Sequence, residues 1–130
     1  MKVLVNALSA RKGGIVTYTN NLLRAFQNRG IDINVAVSEY FETKSDQSIS
    51  RLNVARFSPL KRLIWEQTLW RKFVNTYNPD ILFSSANFGL LNCPVNQILL
   101  LREGGLFDPF YLANMTAALG VRNGVNRYFR

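Results

Sequence analysis

The period of apolar and polar positions changes several times along this chain, and the changes mark out alternating strands and helices. Lys2-Val3-Leu4-Val5-Asn6-Ala7 is a short, apolar, β-branched run, which predicts a buried strand. Leu8 to Gly13 form a loop. From Ile15, the apolar positions Tyr18, Leu22 and Phe26, widened by Leu23, recur at helical spacing. Arg29-Gly30 then supplies the cation and the left-handed residue that favour a helix C-terminus. Ile31 to Ser38 alternates and reads as a second strand, and Glu39 to Ser50 is polar and aperiodic, a surface loop.

The second half repeats the alternation. Asn53 to Phe57 fits a short third strand. Ser58-Pro59 is an N-cap followed by proline at the first helical position. Leu60, Leu63, Ile64, Trp70, Phe73, Val74 and Tyr77 form one core stripe on a long helix that Asn78-Pro79 stops, leaving Trp65 and Leu69 on a second face. Ile81-Leu82-Phe83 predicts the fourth strand and Ser84 to Gly89 its loop; beyond Pro94, Gln97 to Leu101 predicts the fifth. A Gly104-Gly105 loop, the aromatic pair Phe110-Tyr111 and a helix over Leu112 to Leu119 follow. Such alternation implies an α/β domain: a Rossmann-like parallel sheet in the order 3-2-1-4-5, with right-handed crossovers and helices on both faces. The switch point then lies between strands one and four, bringing the Gly13-Gly14 loop beside the Ser84–Asn87 loop.

Size, charge and cysteine usage narrow the function classes. With 130 residues, 48% hydrophobic and 18% charged, the chain suits one globular domain over 1–130. The net charge of +8 favours anionic partners: phosphates, nucleic acid or an acidic membrane surface. One cysteine, Cys93, allows no internal disulfide, and the absence of histidine argues against zinc and excludes a histidine base within these residues. The first apolar run is too short for a signal peptide and no segment is long enough to span a bilayer, so a cytoplasmic protein is expected. Val125 to Arg130 ends without a cap or closing strand, the pattern of one lobe of something longer.

The chemistry gathers at the loops. Gly13-Gly14 leads into a helix whose first amides and dipole favour an anion, and two glycines let a phosphate approach the backbone; a tight turn is the plainer reading. Arg11 and Lys12 add positive charge beside them. Ser84, Ser85 and Asn87 lie beyond a parallel strand, placed to hold sugar hydroxyls or to satisfy loop backbone. Arg102-Glu103 follows the fifth strand as a ligand pair or a surface ion pair, and Asp108 before Pro109 reads as turn chemistry.

Taken in order, Lys12-Gly13-Gly14-Ile15, Trp65-Glu66-Gln67, Pro79-Asp80-Ile81-Leu82-Phe83-Ser84, Ser85-Ala86-Asn87-Phe88-Gly89 and Pro94-Val95 resemble the N-terminal lobe of a GT-B glycosyltransferase of the family 4 type. The resemblance covers nearly the whole chain. It implies two Rossmann-like lobes, with the C-terminal, donor-holding lobe absent from these residues and the acceptor side supplied here. It implies a nucleotide-sugar donor, a glycan or lipid-linked acceptor, metal-independent transfer with retention, and no cofactor. Carried over, the glycine loop near the donor diphosphate falls on Gly13 and Gly14. Many relatives have His-Asp or His-Glu where this chain has Arg102-Glu103. Arg102 stays protonated and is suited to a phosphate, while Glu103 is left to orient the acceptor hydroxyl or take its proton. The isolated domain is then expected to be inactive, and Gly14→Val to abolish donor-dependent turnover without disturbing the fold.

Other readings compete. The second face, with Trp65 and Leu69 near Lys61, Arg62 and Lys72, suits a peripheral contact with anionic headgroups, or burial against further protein. An NAD-type oxidoreductase domain would use Glu39 on a ribose hydroxyl, but the loop lacks the Gly-x-Gly-x-x-Gly spacing. A non-enzymatic nucleic-acid module fits the charge alone, since the basic residues are spread along the chain and no recognition motif appears.

Overall fold

The computed structural model describes residues 1–43, 48–85, 88–102, 110 and 114. Five parallel strands form one sheet: β1 (Lys2–Asn6), β2 (Asp32–Ser38), β3 (Ile49–Leu52), β4 (Ile81–Ser84) and β5 (Asn96–Leu99). Their order is β3-β2-β1-β4-β5, every neighbouring pair parallel, as the alternation predicted. Helix α1 (Gly14–Gln27) connects β1 to β2. Between β3 and β4 run α2 (Pro59–Trp65), a π-helical turn (Glu66–Trp70) and α3 (Arg71–Tyr77). The chain is thus an α/β, Rossmann-like domain.

The two faces of β1 bury different cores. Val3 and Val5 join Ile33, Val35, Val37 and Leu23 of α1 in one cluster, while Leu4 joins Ala36, Leu82, Trp70 and Val74 in the other. Alternation along parallel strands with both faces covered produces this division. The α1 stripe is centred on Ile15, Thr19, Leu22, Leu23 and Phe26, and Tyr18 lies to its flank. Its C-terminus closes as a Schellman motif: the Ile31 amide donates to Phe26 O at 3.2 Å and Gly30 to Gln27 O at 3.1 Å, with Gly30 at φ 65°.

Several sequence expectations need correction. The third strand is Ile49–Leu52, starting within the last two residues of the expected surface loop and ending before Asn53, and not Asn53–Phe57. Val54 and Ala55 are buried, but in a turn: both amides donate to Glu39 Oε2, at 3.0 and 3.1 Å. The fifth strand is Asn96–Leu99 and stops short of Leu101. The long helix is interrupted by the π turn, where the Thr68 hydroxyl donates to Ile64 O at 2.7 Å. The expected core stripe is also wrong at its start. Leu60 and Ile64 are 68% and 57% exposed, whereas Trp65 turns inward, edge-on to Phe57 and stacked with Trp70. The helix over Leu112 to Leu119 and the Gly104-Gly105 loop lie outside the described residues. As expected, Ser58 caps α2 with Pro59 behind it, and Asn78, left-handed at φ 48°, ends α3.

At the amino edge of the sheet, Lys2 and Asp80 exchange hydrogen bonds: Lys2 N to Asp80 Oδ2 at 2.6 Å and Asp80 N to Lys2 O at 2.9 Å. The Lys2 ammonium sits 3.8 Å above the Tyr77 ring. Burial, then the charge of Asp32, raises the Tyr77 phenol above its usual range.

Burial pushes the Glu39 carboxyl up, but its own amide, those of Ala55 and Val54, and the charge of Arg11 together hold it below its ordinary 4.5. A lowered folded-state value stabilises above 4.5 and is lost as pH falls through the folded value. Glu39→Gln is therefore expected to flatten the acid limb of the stability curve, read as urea midpoints from pH 7 to pH 3. An acid limb as steep as the parent's would show that this carboxylate does not anchor the Val54 turn.

Candidate functional site at the carboxyl edge

Parallel strands bring their carboxyl ends to one edge, and a cavity of about 800 Å³ opens there. Ser9, Arg11 and Lys12 line it from the loop after β1, and Phe57 and Pro59 from the entry to α2. Arg62, Leu63 and Glu66 add the helix face, and Phe88 the loop after β4. Among the described residues, three cations and one carboxylate thus meet two aromatic rings.

Arg62 and Glu66 lie one turn apart and form an ion pair, Nε to Oε1 at 2.5 Å, with side chains 15% and 7% exposed. The Arg62 terminal nitrogens reach Leu8 O and Ser9 Oγ only at 3.4 Å each. The π turn puts Glu66 and Trp70 at its two ends, both buried. Gln67 between them grips the far loop, donating to Gly89 O at 3.1 Å and accepting from Leu91 N at 2.9 Å. Gln97 holds Leu90 in the same way, accepting from its amide at 2.8 Å and donating to its carbonyl at 3.2 Å. Residues next to Phe88 are therefore fixed by side chains from two elements.

The structure divides the sequence-predicted residues between the two faces of the sheet. Gly13 and Gly14 head α1, exposed and outside the cavity lining, although the same loop sends Arg11 and Lys12 into it. Arg102 lies with the glycines' helix, its guanidinium 4.7 Å above the Tyr18 ring, one turn beyond Gly14. Ser85 is structural: its hydroxyl and amide both donate to Asn6 O, at 2.9 and 3.1 Å, prolonging the β1–β4 ladder. Ser84 is 1% exposed on the α2 face beside Leu82, its hydroxyl unpartnered, and it does not line the cavity. Asn87, Glu103 and Asp108 lie outside the described residues. The Glu39 carboxylate accepts the amides of Val54 and Ala55 through Oε2.

Sequence reasoning missed Arg62 and Glu66 as site residues. Their signal was an Arg and a Glu at i,i+4 within a stretch otherwise supplying the core. Among the described residues no three His, Cys, Asp or Glu side chains gather to hold a metal. Family models, curated proteins and solved structures were compared with the chain, and none matches it.

Only one of the two glycines is required by the backbone. Gly13 has φ 71° and ψ −151°, a region open essentially to glycine, whereas Gly14 is helical and a Cβ on it would meet nothing within 4 Å. Gly13→Ala is expected to cost about 1–3 kcal/mol in urea unfolding, and Gly14→Ala to be neutral or stabilising by up to ~1 kcal/mol. Equal losses at both positions would contradict this assignment.

Proposed function

We propose that this domain is the acceptor side of a GT-B glycosyltransferase of the family 4 type, moving a sugar from a nucleotide-sugar to a hydroxyl of a glycan or lipid-linked acceptor. The observation that carries the reading is the cavity at the switch point, where a carboxylate, a guanidinium and two aromatic rings converge. Aromatic rings suit the apolar face of a sugar ring, and a carboxylate with a guanidinium suits its hydroxyls. The division between faces supports separate roles for the two ends of the reaction. The α1 side, with Gly13, Gly14 and Arg102, takes the donor's diphosphate through backbone amides and one guanidinium. The α2 side takes the acceptor. The contribution to rate is positioning of the acceptor hydroxyl and stabilisation of the leaving diphosphate, with a second lobe holding most of the donor. Glu103, next to Arg102 in sequence, keeps its proposed part as the group that orients the acceptor hydroxyl or takes its proton. No metal or cofactor enters this scheme.

Gly14→Val tests the donor side, because an added Cβ meets nothing within 4 Å and the fold is expected to stay intact. Transfer of radiolabelled sugar from a panel of UDP- and GDP-sugars by the full-length protein is expected to fall at least about a hundredfold, the scale of a lost transition-state donor. Turnover equal to the parent's, with an unchanged melting temperature, rejects a phosphate site at this turn.

An anionic membrane surface is the partner we infer for the outer face of α2 and the π turn. Leu60, Ile64 and Leu69 are exposed there, 68%, 57% and 59%, flanked by exposed Lys61, Arg71 and Lys72. Aliphatic side chains between cations match an acidic headgroup layer; Leu69 lies on this face as expected from sequence, with Leu60 and Ile64 in place of Trp65. The location that follows is the cytoplasmic face of a membrane. Among the described residues no helix is long and apolar enough to cross it. In vesicle flotation the chain is expected to rise with phosphatidylglycerol-containing vesicles and to stay down with pure phosphatidylcholine, and Leu60→Glu with Ile64→Glu to abolish the effect. Flotation indifferent to anionic lipid removes this surface from the proposal.

A further inference from the structure

The cavity is more specific than a general sugar site. We infer that it takes a phosphorylated sugar, with Glu66 and Arg62 on ring hydroxyls and Arg11 and Lys12 on the phosphate. This rests on the acceptor-side reading above and names the class of acceptor.

The floor is set up for hydroxyl groups. Arg62 spends its Nε on Glu66, and its terminal nitrogens make only long contacts. Among the described residues Glu66 has one hydrogen-bond partner, Arg62, on one of its two carboxylate oxygens. A hydroxyl donates one hydrogen bond and accepts others, so neighbouring hydroxyls can bridge the remaining carboxylate oxygen and the guanidinium. An ion pair this buried adds little net stability, and two apolar side chains would serve packing as well. The position of Glu66 at the start of a π turn, an element frequent at functional sites, fits a binding role instead.

The mouth asks for an anion. Arg11 and Lys12 are exposed at the cavity edge, and once Arg62 is paired with Glu66 no other carboxylate among the described residues lines the cavity to balance them. Glu39, the acid whose field reaches Arg11, is held on the amides of Val54 and Ala55. Two cations beside a hydroxyl-binding floor and the rings of Phe57 and Phe88 define a ligand with a negative end, a hydroxylated middle and an apolar ring face. A hexose phosphate has all three.

The test is calorimetric titration of the 130-residue chain with four probes: a panel of hexose 1-phosphates, the matching methyl hexosides, inorganic phosphate, and a short prenyl-phosphate-linked hexose. The best hexose 1-phosphate is expected to bind about tenfold or more tightly than either its methyl hexoside or inorganic phosphate, as one charge-assisted contact alone would give. Arg11→Ala with Lys12→Ala, both on the surface, should bring the hexose phosphate down to the level of the methyl hexoside. Glu66→Gln should weaken the hexose phosphate and leave inorganic phosphate unchanged, with circular dichroism confirming that the variant folds. Tighter binding of the prenyl-linked probe assigns a lipid source to the ligand, and equal binding assigns a free sugar phosphate. Inorganic phosphate binding as well as the hexose phosphate, a methyl hexoside binding as well, or no binding by any probe overturns the inference. Sugar transfer to neutral acceptors with no preference for phosphorylated ones defeats this inference alone. Hexose phosphate binding without transfer from any donor defeats the transferase reading alone.

Discussion

β1 is hydrogen-bonded along both edges, to β2 and to β4, and covered on both faces by separate apolar clusters. Leu4 and Val5 have no exposed surface at all. A strand so placed fixes the polarity of its neighbours, and with all of them parallel their carboxyl ends meet at one edge. The loop after β1 must leave the sheet between α1 on one side and α2 on the other. Ala7, Leu8 and Ala10 are buried, Ser9 between them is half-buried, and the charged tip from Arg11 onward is exposed. The candidate site owes its location to that exit. Ser9, Arg11 and Lys12 fall to the α2 side, while Gly13 and Gly14 begin the helix on the other.

Where burial follows period, the sequence was legible. The central strands and α1 combine strong apolar patterning with punctuation at Gly30, Ser58-Pro59 and Asn78-Pro79, and the strand order followed from their alternation. β3 was misplaced because its segment, Ile49-Ser50-Arg51-Leu52, is a half-buried edge with little contrast between its faces. The neighbouring Val54 and Ala55 are buried for another reason: a side chain distant in sequence binds their amides. No local pattern carries that information. The π turn was hidden because one extra residue per turn leaves the inward spacing of Glu66, Trp70 and Val74 compatible with an ordinary helix. It also explains the reversal of Trp65 and Ile64, since the stripe drawn through a regular helix put the wrong one inside.

The candidate site was legible in part. Its loops were placed at the correct edge, but the residues chosen within them were those with phosphate or hydroxyl chemistry in isolation. Ser85 illustrates the difficulty. Its hydroxyl is spent on Asn6 O, 79 positions away, which only the pairing of β1 with β4 makes available. Arg62 and Glu66 were passed over because a charged i,i+4 pair on a helix is usually a solvated one of small energetic consequence. Here the same spacing faces inward, so desolvation is paid for by pairing, and truncating either partner would strand a buried charge.

The π turn joins these features into one unit. Five consecutive residues provide a carboxylate for the cavity at Glu66, a clamp on the Phe88 loop at Gln67, a hydroxyl for carbonyls in the widened helix at Thr68, an exposed aliphatic at Leu69 and a core anchor at Trp70. A regular helix presents side chains at fixed intervals of 100°, and inserting one residue resets that phase between the α2 and α3 segments. Trp70, stacked between Trp65 and Phe73 and without exposed surface, holds the turn against the sheet. Glu66 is one turn back from it. Any ligand group bound at Glu66 is therefore held at a fixed depth from the core, and through Gln67 at a fixed distance from the opposite wall. Rigid supporting packing of this kind sets the geometry that the proposed acceptor site would demand.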